Sequence, residues 1–157
     1  MTYSELVAAI QSYTENQFPT TYLADGSGVT ATTQINTFIK QAEQLPWRDP
    51  TGASGVNQKV LIGDPTKPGY YMVMNRFKPG NFSKPHFHPN DRFITVVQGT
   101  WYVGTGNKWD KDATIAVKAG GAVTHFGKQV HYDGAKDEET TILVIGEGPA
   151  TATLAGN

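Results

Sequence analysis

Two kinds of hydrophobic spacing divide this chain near Pro46. Ahead of it, apolar residues recur at helical intervals. Leu6, Val7, Ile10 and Tyr13 make one face behind Ser4, a candidate N-cap followed by Glu5. Ile35, Phe38, Ile39, Ala42 and Leu45 make a second over residues 33–45, which Pro46 ends. Between them, Asp25-Gly26-Ser27-Gly28 reads as a flexible connection. Two short helices cannot bury their faces alone, so this arm, residues 1–45, is expected to pack on the rest of the chain or on another subunit.

Behind Trp47-Arg48-Asp49-Pro50 and the stretch TGASG, the period shortens to two. Short alternating runs predict strands at 59–62, 70–77, 93–98, 100–104, 114–117, 122–126, 130–132 and 140–145, with one more carrying His86 and His88. The 17 glycines and 9 prolines supply the turns that so many strands need. The pattern is that of an all-β sandwich or barrel over residues 46–157.

Composition narrows the chemistry. A chain of 157 residues holds one domain with a sizeable core. Fourteen acidic against 13 basic residues leave no cationic footprint for nucleic acid or a membrane surface, so the expected partner is a small molecule. With no cysteine there is no disulfide framework, zinc-thiolate site or thiol nucleophile, and any metal must be held by His, carboxylate, amide or water. Phosphate-loop, dinucleotide, serine-elbow and His-Glu-x-x-His motifs are missing too. No signal-peptide pattern or apolar run of membrane-spanning length is apparent, and a cytoplasmic protein is the expectation.

The stretch GNFSKPHFHPNDRFITVVQG, residues 80–99, carries the candidate site. His86 and His88 lie two apart in a predicted strand, so their imidazoles share a face, and Pro85 and Pro89 bracket them. That arrangement suits a first-row transition metal, and equally two surface histidines on an exposed strand.

The spacing from Gly80 through His86-Phe87-His88 and Arg92 to Gly99 resembles the first motif of the cupin superfamily. The run from Gly120 to Phe126-Gly127-Lys128-Gln129-Val130-His131 resembles the second. With GDPTKPGYY and VHYDGAK, the likeness to small single-domain cupins covers about residues 46–150. It implies a jelly-roll barrel, the double-stranded β-helix, with a metal held by His86, His88 and His131. Where the family has a glutamate ligand this chain has Arg92, which cannot ligate. In the second motif Phe126 and Lys128 stand where proline and glycine are usual, and Ala135 where asparagine often falls; Gly127 is placed to supply the bend one residue early.

If Arg92 faces inward, strand alternation brings Ile94, Val96 and Gln98 to the same face; the alternative turns Arg92 out toward Asp91 or solvent. His125 could approach the metal, support a ligand, or be an ordinary hydrogen-bonded residue at a strand end. Asp91 could replace the missing carboxylate, but Asn90-Asp91 reads as a turn whose carboxylate binds local backbone amides. Residues 1–45 separately show a weak resemblance to small structural proteins of tailed phages.

The resemblance implies a divalent transition metal, iron, copper, zinc, nickel or manganese, and two functions of different class. One is a dioxygenase-like oxidoreductase acting on a small carboxylate, diketone or sugar-derived substrate, with Arg92 orienting an anion. The other is a non-catalytic ligand-binding or assembly protein. Since barrels of this kind leave sheet edges that arms or partners cover, a homodimer is expected.

Overall fold

The computed structural model describes residues 21–22, 28–29, 45–48 and 56–156, and the chain divides into two compact units, Met1–Leu45 and Pro46–Asn157. In the first unit β1 (Thr21–Tyr22) pairs antiparallel with β2 (Gly28–Val29), Tyr22 opposite Gly28. The helices expected at 4–13 and 33–45 lie outside the described residues.

The second unit is built from two antiparallel five-stranded sheets. One runs in the order β3 (Val56–Ile62), β4 (Gly69–Phe77), β11 (Thr140–Gly148), β6 (Arg92–Gln98), β9 (Ala122–His125). The other runs β12 (Thr153–Leu154), β5 (His86–Phe87), β10 (His131–Gly134), β7 (Thr100–Thr105), β8 (Ile115–Lys118). This is the expected jelly-roll barrel. Each predicted strand is present within a few residues, and β12 is an addition.

Alternation explains where the core sits. Tyr71, Val73 and Phe77 from β4, Ile94 and Val96 from β6, and Ile142 and Val144 from β11 all point inward at spacings of two or its multiples, and Trp101 of β7 and Ala135 close the cluster. Burial of one such aliphatic side chain is worth about 1.5–3 kcal/mol.

One expectation about this face fails. Gln98 does not join Arg92, Ile94 and Val96 inside; it is exposed. Thr141 opposes Gln98 while Ile142 opposes Val96, so Val97 is an extra residue, a β-bulge. A bulge shifts the period by one residue and turns the next side chain outward.

A second local feature positions the site. At Gly134 an added Cβ would lie 2.1 Å from the Asn81 carbonyl oxygen, so the strap at 81–83 can lie directly against β10 only because that residue has no side chain. Phe82 bridges to Gly134, Ala135 N–H donates to Asn81 O (2.9 Å) and Ser83 N–H donates to Asp133 O (2.8 Å).

Candidate metal centre

His86 and His131 face each other across the β5–β10 ladder, and His88 lies just past the end of β5, which is only two residues long. Pro85 and Pro89 flank this piece, so ladder pairing stops after Phe87. The three imidazoles nevertheless converge. Ring centroids lie 4.9 Å apart for His86 and His88, 4.5 Å for His86 and His131, and 5.5 Å for His88 and His131.

A backbone carbonyl holds each ring by the same atom. Nδ1 of His86 donates to Lys84 O (2.7 Å), that of His88 to Thr151 O (2.9 Å) and that of His131 to Gln129 O (3.0 Å). A neutral imidazole that donates from Nδ1 keeps its lone pair on Nε2, so one tautomer is selected at all three residues. The donor atoms offered lie within 4.8 Å of one another, a group that could hold a metal ion. Buried His88 Nε2 has no hydrogen-bond partner. A buried nitrogen left without a partner costs stability unless something binds it, and three neutral nitrogens with carbonyl-fixed tautomers suit a divalent transition metal.

Arg92, first residue of β6, points inward. Its Nη2 donates to His125 Nδ1 and to His131 Nε2, each at 3.2 Å, and its Nε is buried without a partner. His125, at the end of β9, is buried, opposes Arg92 in the ladder and stacks obliquely on Trp101. Because His125 Nδ1 accepts from Arg92, its proton sits on Nε2. His125 therefore holds Arg92, and it stands outside the group of three.

Asp91 accepts the backbone N–H of Gly127 (2.7 Å), and Lys128 N–H donates to His88 O (2.7 Å), so the 88–91 segment is pinned to the turn ahead of His131. The bend expected at Gly127 falls instead on Lys128, with φ of 64°. A side chain in this left-handed region is strained, and a glycine there would not be. Gly127 is needed for another reason, since a Cβ there would come within 2.7 Å of the Pro89 carbonyl.

Sequence reasoning passed over Asp133. It follows His131 by two on β10, so period two turns it to the same interior; that was the available signal. It is buried, and one carboxylate oxygen accepts the Ser83 hydroxyl, whose own oxygen accepts the Asp133 backbone N–H (2.9 Å).

Burial is the dominant influence on three of these imidazoles. Burial, reinforced by Arg92 and the neighbouring histidines, pushes His88 down to about 2. Burial brings His125 to about 3 and His131 to about 4, with Asp133 opposing in both cases. Burial raises the Asp133 carboxyl, but His125, His86, the Ser83 hydrogen bond and His131 together hold it below the usual range. Burial lowers Arg92, against Asp133 and the hydrogen-bonded Tyr71 hydroxyl. The Tyr71 phenol is raised by burial despite Arg92.

A cavity of about 510 Å³ opens onto this cluster. Arg92, Asp133, His86 and His88 face it on the polar side, while Val73, Phe77 and Val144 form apolar wall. Asn75, whose amide oxygen accepts from Gln58 Nε2 (3.0 Å), adds a fixed polar group. Its size and mixed lining are those of a small-molecule site.

Two antiparallel sheets closed over a histidine cluster make this a cupin. More narrowly, the chain belongs to the ChrR cupin-like domain family, whose model matches residues 36–151. Its structure is similar to that of the polyketide cyclase RemF from Streptomyces resistomycificus (TM-score 0.61, 19% identity, 74% of this chain and 83% of that one). It is also similar to a cupin-2 domain protein from Rhodospirillum rubrum (0.57, 19%, 73% and 76%) and to a cupin-like protein from Thermotoga maritima (0.56, 18%, 73% and 87%). At such identities the likeness shows the fold alone. No curated protein matches the chain. These comparisons do not show the phage-like resemblance of residues 1–45. Among the described residues no helix is long and apolar enough to cross a membrane.

Proposed function

We propose that this protein binds one divalent transition metal through His86, His88 and His131 and acts as a dioxygenase-like oxidoreductase on a small organic carboxylate or diketone. The observation that carries the metal assignment is the shared tautomer: three backbone carbonyls fix Nδ1–H on three rings, which leaves three Nε2 lone pairs for one ion.

A metal bound there supplies Lewis acidity toward a chelating oxygen ligand and toward dioxygen, undiminished by a carboxylate ligand. The chain's own residues do the rest. Arg92 offers guanidinium donors to the substrate's anionic group, and its hydrogen bond to His125 Nδ1 holds that guanidinium in place. Val73, Phe77 and Val144 exclude water from the apolar part of the substrate. Elemental analysis of the purified protein, followed by oxygen uptake against a panel of small carboxylates and diketones, tests the reading. One equivalent of metal and substrate-dependent uptake are expected, and a metal-replete protein inert across the panel removes the oxidoreductase assignment.

A second reading is a binding protein without turnover. It is favoured by the hydrogen bond from Arg92 to His131 Nε2, which occupies a ligand atom with a cation. The same panel measured calorimetrically, with binding and no oxygen uptake, is its expected result.

A further inference from the structure

His131 has one lone pair and two claimants for it. Its Nδ1 donates to Gln129 O at 3.0 Å, so the nitrogen left to offer is Nε2, and Arg92 Nη2 lies 3.2 Å from it. A guanidinium only donates, so Nε2 is the acceptor. The lone pair cannot serve Arg92 and a metal ion at once, and a cation so close to a divalent ion also repels it.

Arg92 must therefore release His131 when the metal enters. It does so inside the barrel, where His125 Nδ1 remains as a partner and Nε already has none. The donor edge set free is suited to a carboxylate. Asp133, a buried carboxylate lining the same cavity, disfavours multiply charged anions such as phosphate and favours a monoanion.

We infer that Arg92 is a latch coupling the two ligands of this site: a monocarboxylate entering the cavity takes over the guanidinium, frees His131 Nε2 and tightens metal binding, and the metal tightens carboxylate binding by the same factor. Reciprocity follows from linkage. The inference rests on the three-histidine reading above and adds to it an order in which the centre fills.

The test is zinc or cobalt affinity, measured by competition with a chromophoric chelator at constant ionic strength, with and without acetate. Saturating acetate should tighten metal binding to the native protein roughly ten- to a hundredfold, the scale of one hydrogen bond to a charged group. Arg92→Met, which keeps the volume and loses every donor, should bind metal as tightly as the acetate-saturated native protein and ignore acetate. Arg92→Lys, which retains charge but only a point donor, should fall between and guards against a folding artefact in the Met variant. Nitrogen NMR of the imidazoles gives a readout without metal: Arg92→Met should move His131 Nε2 from the hydrogen-bonded toward the free value. Equal metal affinity in the native protein and Arg92→Met, unmoved or weakened by acetate, overturns the latch while the three-histidine site stands. Metal bound by neither removes that site, and the latch with it.

Discussion

Strand length separates the two sheets of the barrel. In the sheet β3-β4-β11-β6-β9 the neighbouring strands β4 and β11 run nine residues each and are paired along their whole length. In the other sheet β5 and β12 have two residues and β10 has four. Long strands spend their carbonyls on each other, whereas short ones leave carbonyls free at their ends. Lys84, Gln129 and Thr151, the three that hold the histidines, all lie just outside strands β5, β10 and β12. Most of the apolar core comes from the long-stranded sheet, whereas His86 and His131 belong to the short-stranded one and His88 lies just past the end of its β5. Persistence of the fold and chemistry at the site thus rest on different halves of the barrel.

This division can be broken by experiment. Ile142→Ala, in the middle of β11 and 1% exposed, should destabilise the protein by about 2–5 kcal/mol in urea unfolding while the folded fraction keeps its metal affinity. His131→Ala should do the reverse: metal affinity falls more than about a hundredfold, beyond what loss of a supporting residue costs, with little change in thermal midpoint. His125→Ala should weaken metal binding less than His131→Ala. If Ile142→Ala and His131→Ala impair stability and binding together, the two halves are not separable.

Acid provides a milder probe. His88, His125 and His131 titrate in the folded protein near 2, 3 and 4, against an ordinary 6.5. Between those values the unfolded chain binds protons that the folded chain does not, so the stability they contribute is whole above pH 6.5 and is lost as pH falls toward 4. The thermal midpoint should drop over that window, and His125→Phe should flatten the drop. An unchanged slope in the variant would show that His125 is not held neutral by burial. The smallest expected effect is Lys128→Gly: relief of a left-handed side chain is worth about 1 kcal/mol or less after glycine's own entropy cost, read as a slightly higher midpoint.

Period-two alternation made most of this barrel legible, because a strand with one buried face repeats its signal at every second residue. It places Ile94 and Val96 inside, whereas the set of His86, His88 and His131 was legible only through the resemblance to the cupin motifs. It misplaces Gln98, since a single inserted residue at Val97 reverses all that follows, and a bulge leaves no mark in side-chain pattern. Asp133 was within reach of the same rule applied from His131. Asp91 was expected to bind local backbone amides; it does bind an amide, but that of Gly127, 36 residues away, a distance that no local turn rule spans. Whether Arg92 faced in or out turned on His125, the cross-strand neighbour that accepts its hydrogen bond, and that pairing belongs to tertiary structure.

The carbonyl of Thr151 ties the centre to the last stretch of the chain. His88 obtains its tautomer from a residue 63 positions further along, and His86 pairs with Leu154 on β12. The ladders β4–β11–β6, which carry most of the core, use none of residues 151–154. That short stretch therefore serves the centre more than the core: without it the core strands keep every ladder partner, while the His88 ring loses the acceptor that decides which nitrogen carries its proton.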